Sequence, residues 1–316
     1  MPGPLIVTLT LNPALDLASE ADQVRPVRKI RTFHERFDPG GGGVNVSRVL
    51  RELGGETLAV LTAGGVTGRF LLELLAGEGV PHRAVPIGGL TRISHVVQDR
   101  ASGLEYRFVP EGPMLAEAEW QAALAAVAEV PAPWLVLSGS LPRGVPADIL
   151  ARAAAEARGR GQRVVVDSSG PALAAAVAAG GLALIKPSLG ECEALVGRPL
   201  QEAAALREAA LELATGGAAE LVAVTLGARG ALLATARGEL WRLPAADVPV
   251  RGASGAGDSF VAGMTLALAR GEAPEQAFLL GAAAGGATVA AAGTAHARRA
   301  EVEAIRASLA PQLMRC

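Results

Sequence analysis

A single aspartate stands directly after a run of small residues near the carboxyl-terminal end of the chain. The stretch is RGASGAGDSFVAG, residues 251–263, and the aspartate is Asp258. Phe260, Met264 and Leu268 recur at helical spacing after it, so the pattern predicts a helix that begins close to the aspartate. The first N–H groups of a helix lack partners within the helix, and its dipole favours negative charge. Small residues let an anion approach those groups, so the stretch could hold a phosphate beside a carboxylate base. The alternative is an aspartate that only caps a helix after a flexible loop.

A second glycine cluster, in FDPGGGGVNVSRVLRELGG (residues 37–55), precedes another predicted helix, with Asn45 on its first turn. A dinucleotide-binding fingerprint would follow the first strand directly, and this cluster does not. The chain contains no G-x-x-x-x-G-K-[ST] sequence, which excludes Walker-type phosphate binding. If a nucleotide binds, the loop before Asp258 is therefore expected to hold its phosphates.

Two lysines stand out because the chain has so few. Lys29 and Lys186 are its only lysines, against twenty-seven arginines. Chance could place either one, but an arginine does not freely replace a lysine where a compact point charge must fit. Both are therefore candidates for binding an anion.

Polar side chains follow five of the predicted strands, at the point where each strand ends. Aspartate and serine are ordinary turn residues, so one such position means little. Ligands of open α/β sheets bind beyond the carboxyl ends of the strands, however, and five such ends in succession predict a site. The residues are Asp16, Ser138 with Ser140, Asp167, Lys186 with Ser188 and Glu191, and Thr225 with Gly227.

Short apolar segments alternate with helical ones along most of the chain, which predicts an α/β fold. The apolar segments are continuous, as in a mostly parallel central sheet flanked by helices on both faces. The predicted strands are residues 4–11, 57–63, 134–140, 163–169, 182–188 and 221–227, and the helices include 46–55, 146–161 and 258–271.

Two segments break this alternation and predict a small lid of strands over one edge of the sheet. Residues 95–109 alternate apolar and polar side chains around a turn at Ser102-Gly103, as in a hairpin with one exposed face. Residues 16–37 are polar and not helical. We place the lid at about residues 16–38 and 90–110.

Composition argues against several classes of function. The 316 residues carry a net charge of only −2, without the basic clusters that bind nucleic acid. Cys192 and Cys316 lack the spacing of a metal site or a disulfide framework, which favours a location in the reducing cytoplasm. The amino-terminal segment predicts a first strand rather than a signal peptide. Residues 276–295 are nearly uncharged, but they are mostly Ala and Gly, so we expect a helix buried in a soluble protein and no membrane contact.

The two glycine-rich stretches resemble the signature regions of the ribokinase-like carbohydrate kinases, the PfkB type. The segments TLTLNPALD, TRIS, SGSLPRGV, VDSSG, IKPSLGE and TLGARGA match that family in order and spacing, so the resemblance covers residues 1–316 as one kinase domain. Within the family the chain is most similar to the minor, isozyme 2-type 6-phosphofructokinases. The 1-phosphofructokinases usually read GKG where this chain has three glycines, residues 41–43.

The resemblance implies ATP-dependent phosphorylation of fructose 6-phosphate to fructose 1,6-bisphosphate, a step of glycolysis. Fructose 1-phosphate and tagatose 6-phosphate are alternative substrates, and a non-catalytic sugar-phosphate sensor is an alternative of another class. The expected cofactors are ATP, Mg²⁺ and K⁺. Because a two-stranded hairpin is marginal alone in water, we also expect a homodimer that buries the lids of two copies.

The resemblance also assigns roles to the sugar side of the site. An aspartate at the position of Asp258 takes the proton from the sugar hydroxyl in this family, while the amides before it hold the phosphate charge. Those amides belong to Gly255, Ala256 and Gly257. The sugar ligands would be Asp16, Gly40, Gly41, Gly42, Gly43, Asn45 and Ser140, with Arg92, Ser94 and the lid lysine Lys29 near the sugar phosphate.

The nucleotide and metal positions follow in the same way. The ATP ligands would be Lys186, Ser188, Thr225, Leu226, Gly227, Ala228, Arg229 and Gly230. Asp167 and Glu191 would hold Mg²⁺ through water. Oxygens around Gly252, Ser254, Thr288, Ala291 and Gly293 would hold K⁺. The family usually has asparagine where this chain has Ser188, which is shorter and lacks the amide.

Overall fold

Two sheets form the strand framework, one of ten strands and one of four. The computed structural model describes residues 3–291, 293 and 295–316. Its strands are β1 Ile6–Thr10, β2 Ala14–Ala21, β3 Thr32–Gly40, β4 Thr57–Ala63, β5 His82–Pro86, β6 Arg92–Asp99, β7 Glu105–Phe108, β8 Trp134–Ser138, β9 Arg163–Asp167, β10 Leu182–Ile185, β11 Ala219–Thr225, β12 Ala231–Thr235, β13 Leu240–Leu243 and β14 Met314–Arg315.

Along the chain, the helices mostly connect one strand to the next. They are α1 Gly42–Glu52, α2 Gly65–Gly77, α3 Glu117–Ala128, α4 Ile149–Gly159, α5 Gly170–Ala179, α6 Leu189–Val196, α7 Ala203–Thr215, α8 Ala256–Ala269, α9 Pro274–Ala290 and α10 Arg299–Leu309. Within the described residues, no helix combines the length and apolar character that crossing a membrane requires.

The large sheet has the strand order β14-β13-β12-β11-β10-β9-β8-β1-β4-β5. From β11 to β5 the neighbouring strands are parallel, and the three strands at the other edge are antiparallel. All six predicted strands are present, with bounds that differ by a few residues. The prediction of a mostly parallel sheet is therefore confirmed. The segment ELWRLP, which contains β13, also reads as a strand in the sequence, whereas β5, β12 and β14 were not predicted.

Helices cover both faces of this sheet, as the continuous apolar strands require. Val7 and Leu9 of β1 belong to the core cluster that includes residues of α3, α4, α5 and α7. Ile6 belongs to a second cluster with residues of α1, α8, α9 and α10. Because α1 and α8 share one face, the two glycine-rich segments that precede them lie next to each other.

The small sheet, with order β3-β2-β6-β7, is the predicted lid. Its strands span slightly more of the chain than predicted at β2 and β3, which begin at Ala14 and end at Gly40. The hairpin of β6 and β7 is antiparallel and turns at Gly103, where φ is +69°, as the sequence predicted. Alternate residues of each strand face opposite sides, so one side of this lid sheet faces the large sheet's helices and the other faces away.

Candidate active site

A cleft of about 170 Å³ lies between the lid sheet and the amino-terminal ends of α1 and α8. The lid contributes side chains from β2, β6 and β7, and the body contributes the glycine-rich segments and the end of α9. Most of the predicted residues for the sugar side line it. They are Asp16, Gly41, Gly42, Asn45, Arg92, Ser94, Gly255 and Asp258. Ser254 and Thr288, which were predicted for K⁺, line it too.

The geometry around Gly255 and Gly257 explains the small residues before Asp258. Gly255 is the N-cap of α8 and has φ +75°, a left-handed conformation that glycine adopts without strain. A Cβ on Gly257 would lie 3.3 Å from Nζ of Lys186, so the missing side chain lets the ammonium group approach the helix start. The loop, the lysine and the free N–H groups of α8 together form a positively polarised site that suits a phosphate.

Asp258 lies in the first turn of α8 and is the candidate base. Its pKa is raised to about 7, chiefly because the carboxyl is removed from water and further because Asp167 lies near. A hydrogen bond from Nδ2 of Asn45 to Oδ2 of Asp258, 2.8 Å long, and the charge of Lys186 oppose this rise. A carboxylate with a pKa near neutrality accepts a proton more readily than an ordinary aspartate.

A second carboxyl group, Asp16, faces the cleft from β2. Burial raises the pKa of Asp16 to about 6, while Arg48 and Arg92 act in the opposite direction. Gly40 lies against this side chain: a Cβ there would come within 2.1 Å of Oδ2 of Asp16. The Asp16 carboxyl therefore lies where it could accept hydrogen bonds from sugar hydroxyls.

The remaining glycines of the cluster are explained by close packing. Gly42 and Gly43 are the first two residues of α1, so the predicted helix begins earlier than residue 46. A Cβ on Gly42 would lie 2.4 Å from Oγ of Ser138, and one on Gly43 would lie 2.5 Å from Oγ1 of Thr10. These two glycines let α1 pack against the ends of β1 and β8, whether or not they also contact a sugar.

Arg92 has a structural role that the sequence did not reveal. Its Nη1 donates to the carbonyl oxygen of Pro110 at 2.8 Å and its Nη2 to that of Asn12 at 3.0 Å. Nε is buried and has no partner among the described residues. The guanidinium therefore braces the segment after the lid hairpin while its edge lines the cleft.

Lys186 and Asp167 form an ion pair at the ends of β10 and β9. Nζ of Lys186 lies 3.2 Å from Oδ1 of Asp167, and both side chains are largely buried. Burial by itself would lower the pKa of Lys186, but Asp167, Glu191 and Asp258 together raise it. Burial raises the pKa of Asp167 despite this partner. The carboxylates around Lys186 thus favour its charged ammonium form beside the start of α8.

Ser188 is the N-cap of α6 in a reciprocal arrangement with Glu191. The backbone N–H and the hydroxyl of Ser188 donate to Oε2 of Glu191 at 2.8 and 2.9 Å. This capping box gives Ser188 a local role that requires no nucleotide. It also holds the Glu191 carboxylate near Lys186, whose pKa it raises.

The segment from Thr225 to Gly230 continues the same edge of the sheet. The N–H of Thr225 donates to the carbonyl oxygen of Pro187 at 3.0 Å, and residues Gly227–Arg229 form a short 3₁₀ turn. The predicted nucleotide residues therefore adjoin the start of α6. They do not line the cleft between the lid and α8.

Backbone oxygens converge beside Gly252, where the potassium loop was predicted. Seen from the Cβ position of Gly252, the carbonyl oxygen of Gly293 lies 3.4 Å away and that of Ala291 lies 4.0 Å away. The hydroxyl of Thr288 is already bonded to Ser259 and to the N–H of Ala297. Oε1 of Glu105 lies 3.6 Å from the same Cβ position of Gly252, so one carboxylate oxygen adjoins the two carbonyl oxygens. These oxygens suit a monovalent cation, whereas the Thr288 hydroxyl is occupied.

Four residues predicted for the sugar do not line the cleft: Gly40, Gly43, Lys29 and Ser140. Lys29 is exposed in the loop between β2 and β3. Ser140 is also exposed, and its hydroxyl accepts a hydrogen bond from Nδ2 of Asn12 at 3.2 Å. Within one chain, neither side chain lines the cleft.

Sequence reasoning missed three ionisable side chains that line the cleft: Arg48, Arg107 and His296. Arg48 could have been noticed because it follows Asn45 by three residues on one helix face. Arg107 pairs with Val96 across the hairpin. Because alternate residues of a strand face opposite sides of the sheet, Arg107 lies on the same side as Arg92 and Ser94. Among the described residues, Arg107 forms neither a hydrogen bond nor an ion pair. His296 carried no signal in its local sequence.

The sheet, the lid and the loop before Asp258 define a kinase of the ribokinase-like class. Solved structures of a phosphofructokinase-2 and of a ribokinase have the same fold. The chain belongs to the pfkB family of carbohydrate kinases, whose family model matches residues 9–300.

Relatives within this family are similar over almost their whole length. The ATP-dependent 6-phosphofructokinase isozyme 2 of Mycobacterium tuberculosis (strain ATCC 25618 / H37Rv) is 42% identical over 302 residues, covering 95% of this chain and 88% of that one. The enzyme of the same description from Escherichia coli (strain K12) is 42% identical over 92% of this chain and 94% of its own. The crystal structure of Escherichia coli phosphofructokinase-2 with fructose-6-phosphate matches with a TM-score of 0.92 and 40% identity, covering 97% and 99% of the two chains.

Proposed function

We propose that the chain is an ATP-dependent 6-phosphofructokinase, which converts fructose 6-phosphate and ATP to fructose 1,6-bisphosphate and ADP. The observation that carries this proposal is Asp258, a carboxyl group with a pKa of about 7 at the start of α8 and facing the cleft. The likeness to 6-phosphofructokinases over almost the whole chain supports the choice of substrate. A sensor without catalysis would have no need of a base in this position.

Asp258 would remove the proton from the 1-hydroxyl group of fructose 6-phosphate. The oxygen then forms a bond to the γ-phosphorus of ATP, the bond from that phosphorus to the β-γ bridging oxygen breaks, and ADP leaves. The N–H groups of Gly255 and Gly257 and the ammonium group of Lys186 would face the developing negative charge, together with the N–H of Ala256, which has only a 3.4 Å contact to the carbonyl oxygen of Ala253. Phosphoryl transfer depends mainly on such positioning and charge neutralisation, so a single base suffices.

The lid side of the cleft supports a phosphorylated rather than a neutral sugar. Arg92 and Arg107 place two guanidinium groups on β6 and β7 facing the cleft. Arg107 is free of protein partners within the described part of the chain, so it can pair with a phosphate without breaking another contact. Asp16 and Asn45 would bind the sugar hydroxyls and Ser94 would lie near the sugar phosphate, as the sequence predicted.

The ATP phosphates would lie over the start of α8, with Lys186 beside them and residues 225–230 toward the nucleotide. Asp167 and Glu191 fit Mg²⁺ as two hard oxygen donors, and no cluster of three or more metal-binding side chains occurs in the described ranges. Mg²⁺ held there through water would neutralise phosphate charge. The carbonyl oxygens of Ala291 and Gly293 fit K⁺, and the Escherichia coli relative has been crystallised with potassium.

The outer side of the lid supports assembly into a homodimer. Ile93, Tyr106 and Phe108 are 41%, 37% and 56% exposed and lie on the side of the sheet opposite Arg92 and Arg107. A second lid packed on this apolar side would bury it, and Lys29 of one copy could then reach the cleft of the other. One structure of the Escherichia coli relative is a tetrameric inhibited form, so larger assemblies are part of the test.

Sedimentation of the wild type and of Phe108→Glu tests the dimer. We expect a dimer for the wild type and a less active monomer for the variant, because a charge on the apolar side opposes lid packing. Met314→Glu, exposed at the far edge of the large sheet, is the control and should leave the dimer intact. A fully active wild-type monomer would refute the proposed assembly.

The two free cysteines, Cys192 and Cys316, favour a reducing compartment, so a cytoplasmic location is part of the proposal. The substrate itself is tested by comparing kcat/KM for fructose 6-phosphate, fructose 1-phosphate and tagatose 6-phosphate. Preference for either of the last two would retain the kinase mechanism and replace the substrate.

A further inference from the structure

Arg48 is a buried cation beside the cleft that the proposed mechanism does not yet use. Its side chain is only 3% exposed, and it lies three residues after Asn45 on α1. Nε and Nη2 donate to the two carboxylate oxygens of Glu78 at 2.7 and 2.6 Å, and Nη1 donates to the carbonyl oxygen of Pro39 at 2.8 Å. A planar guanidinium held on three sides has little freedom to move.

The same guanidinium faces the amide group of Asn45. Nη1 of Arg48 lies 3.5 Å from Oδ1 of Asn45, and Nδ2 of Asn45 donates to Oδ2 of Asp258 at 2.8 Å. A guanidinium offers only donors, and an ionised carboxylate offers only acceptors. The amide therefore has one favourable orientation, with its oxygen toward Arg48 and its nitrogen toward Asp258. The reverse orientation would place N–H against N–H and oxygen against oxygen.

We propose that Arg48 is a positioning residue, which fixes the amide orientation of Asn45 and thereby the carboxylate of Asp258. The bond from Asn45 occupies Oδ2 of Asp258 and leaves Oδ1 to accept the proton from the sugar hydroxyl. A displacement of about 1 Å in such a group can lower the rate ~10²-fold. The inference rests on the proposed kinase function, because it concerns the same base.

Arg48 could also affect substrate binding, and the experiment must distinguish that effect from its effect on Asn45. Its charge opposes the raised pKa of Asp16, which would bind the sugar. Loss of that effect, or of a direct contact between Arg48 and the sugar phosphate, would change KM. Loss of the Asn45 orientation would instead lower kcat, because the base is displaced after substrate has bound.

The test is a double-mutant cycle of Arg48→Met and Asn45→Ala, with kcat and KM measured for the sugar phosphate that the wild type turns over best. We expect Arg48→Met to lower kcat by roughly 10- to 100-fold, with a much smaller change in KM. In the Asn45→Ala background the same change should lower kcat by less than about twofold, since both residues act through one contact. Arg48→Lys should have a kcat between those of the wild type and Arg48→Met, because lysine retains one charged donor but lacks the several N–H groups of the guanidinium.

Arg51→Met is the matched control, because Arg51 is exposed on the same helix and should leave kcat unchanged. If Arg48→Met does not fold, Glu78→Gln weakens the hold on Arg48 and should show a smaller loss of kcat that again disappears in the Asn45→Ala background. A loss confined to KM, or one of undiminished size in that background, would overturn the inference. Turnover of a different sugar phosphate would refute the proposed substrate and leave this comparison intact.

Discussion

Replacing Asp258 by asparagine should lower activity and raise stability at the same time. Asparagine retains the shape of the side chain but cannot take up the proton of the sugar hydroxyl. A general base contributes ~10²–10⁴ to the rate, or about 3–5 kcal/mol of transition-state stabilisation. We therefore expect kcat to fall by two to four decades while ATP still binds.

The gain in stability follows from the pKa of Asp258, which rises from an ordinary 3.8 to about 7 on folding. A carboxyl group with a raised pKa favours folding when protonated, so its contribution is lost as the pH rises from about 4 to about 7. At pH 8 the ionised form costs at most ~4 kcal/mol, at 1.36 kcal/mol for each pH unit. Asparagine avoids this cost, so the free energy of unfolding at pH 8 should rise.

Both effects can be measured on one preparation, by steady-state ADP release at pH 8 and by thermal or denaturant unfolding. Asp247→Asn is the control, because Asp247 is exposed in the loop before α8 and should change neither quantity. Near-normal turnover in a folded Asp258→Asn protein, or a lower free energy of unfolding, would refute the assignment of Asp258 as a buried base.

Three further predictions concern neighbouring groups. The kcat/KM of the wild type should fall on the acidic side of about pH 7, as Asp258 becomes protonated in the free enzyme, and a pH–rate profile flat down to pH 5 would contradict this. Arg107→Met should raise KM for the sugar phosphate by about one to two decades without lowering the unfolding midpoint. Arg92→Met should raise KM and also lower the unfolding midpoint, because the carbonyl oxygens of Pro110 and Asn12 lose their donors. Gly257→Ala should raise KM for ATP, because the new methyl group meets Lys186, yet it should stabilise α8 by about 0.5–1 kcal/mol; an unchanged KM for ATP would count against Lys186 as a phosphate ligand.

Local patterns were sufficient to predict the framework of the fold. Continuous apolar strands located the six central strands of the large sheet, and the alternating segment around Gly103 located the lid hairpin. The strand β5 was missed because it lies at the sheet edge and pairs with β4, from which α2 separates it along the chain, whereas β12 was missed although it pairs with its sequence neighbours β11 and β13. The small residues before Asp258 correctly marked a loop entering a helix.

Sequence placed candidate site residues best where one residue type has one physical reason to be present, and the roles assigned to those residues stay predictions. Lys186 and Asp258 lie beside the start of α8 as expected. Residues with two possible reasons were harder to interpret from sequence, because Arg92 also braces Pro110 and Ser188 caps α6. Arg107 reaches the cleft only through the register of the hairpin, which no local motif specifies.

The most direct test of the proposed function is a comparison of kcat/KM, with ATP and Mg²⁺ present, for fructose 6-phosphate, fructose 1-phosphate, tagatose 6-phosphate and unphosphorylated fructose. We predict the highest value for fructose 6-phosphate and the lowest for fructose, because Arg92 and Arg107 face the cleft and an uncharged sugar forgoes at least one charge-assisted contact. Release of ADP with none of the three sugar phosphates, despite their binding to the folded protein, would contradict the central claim that this cleft is the active site of a sugar-phosphate kinase.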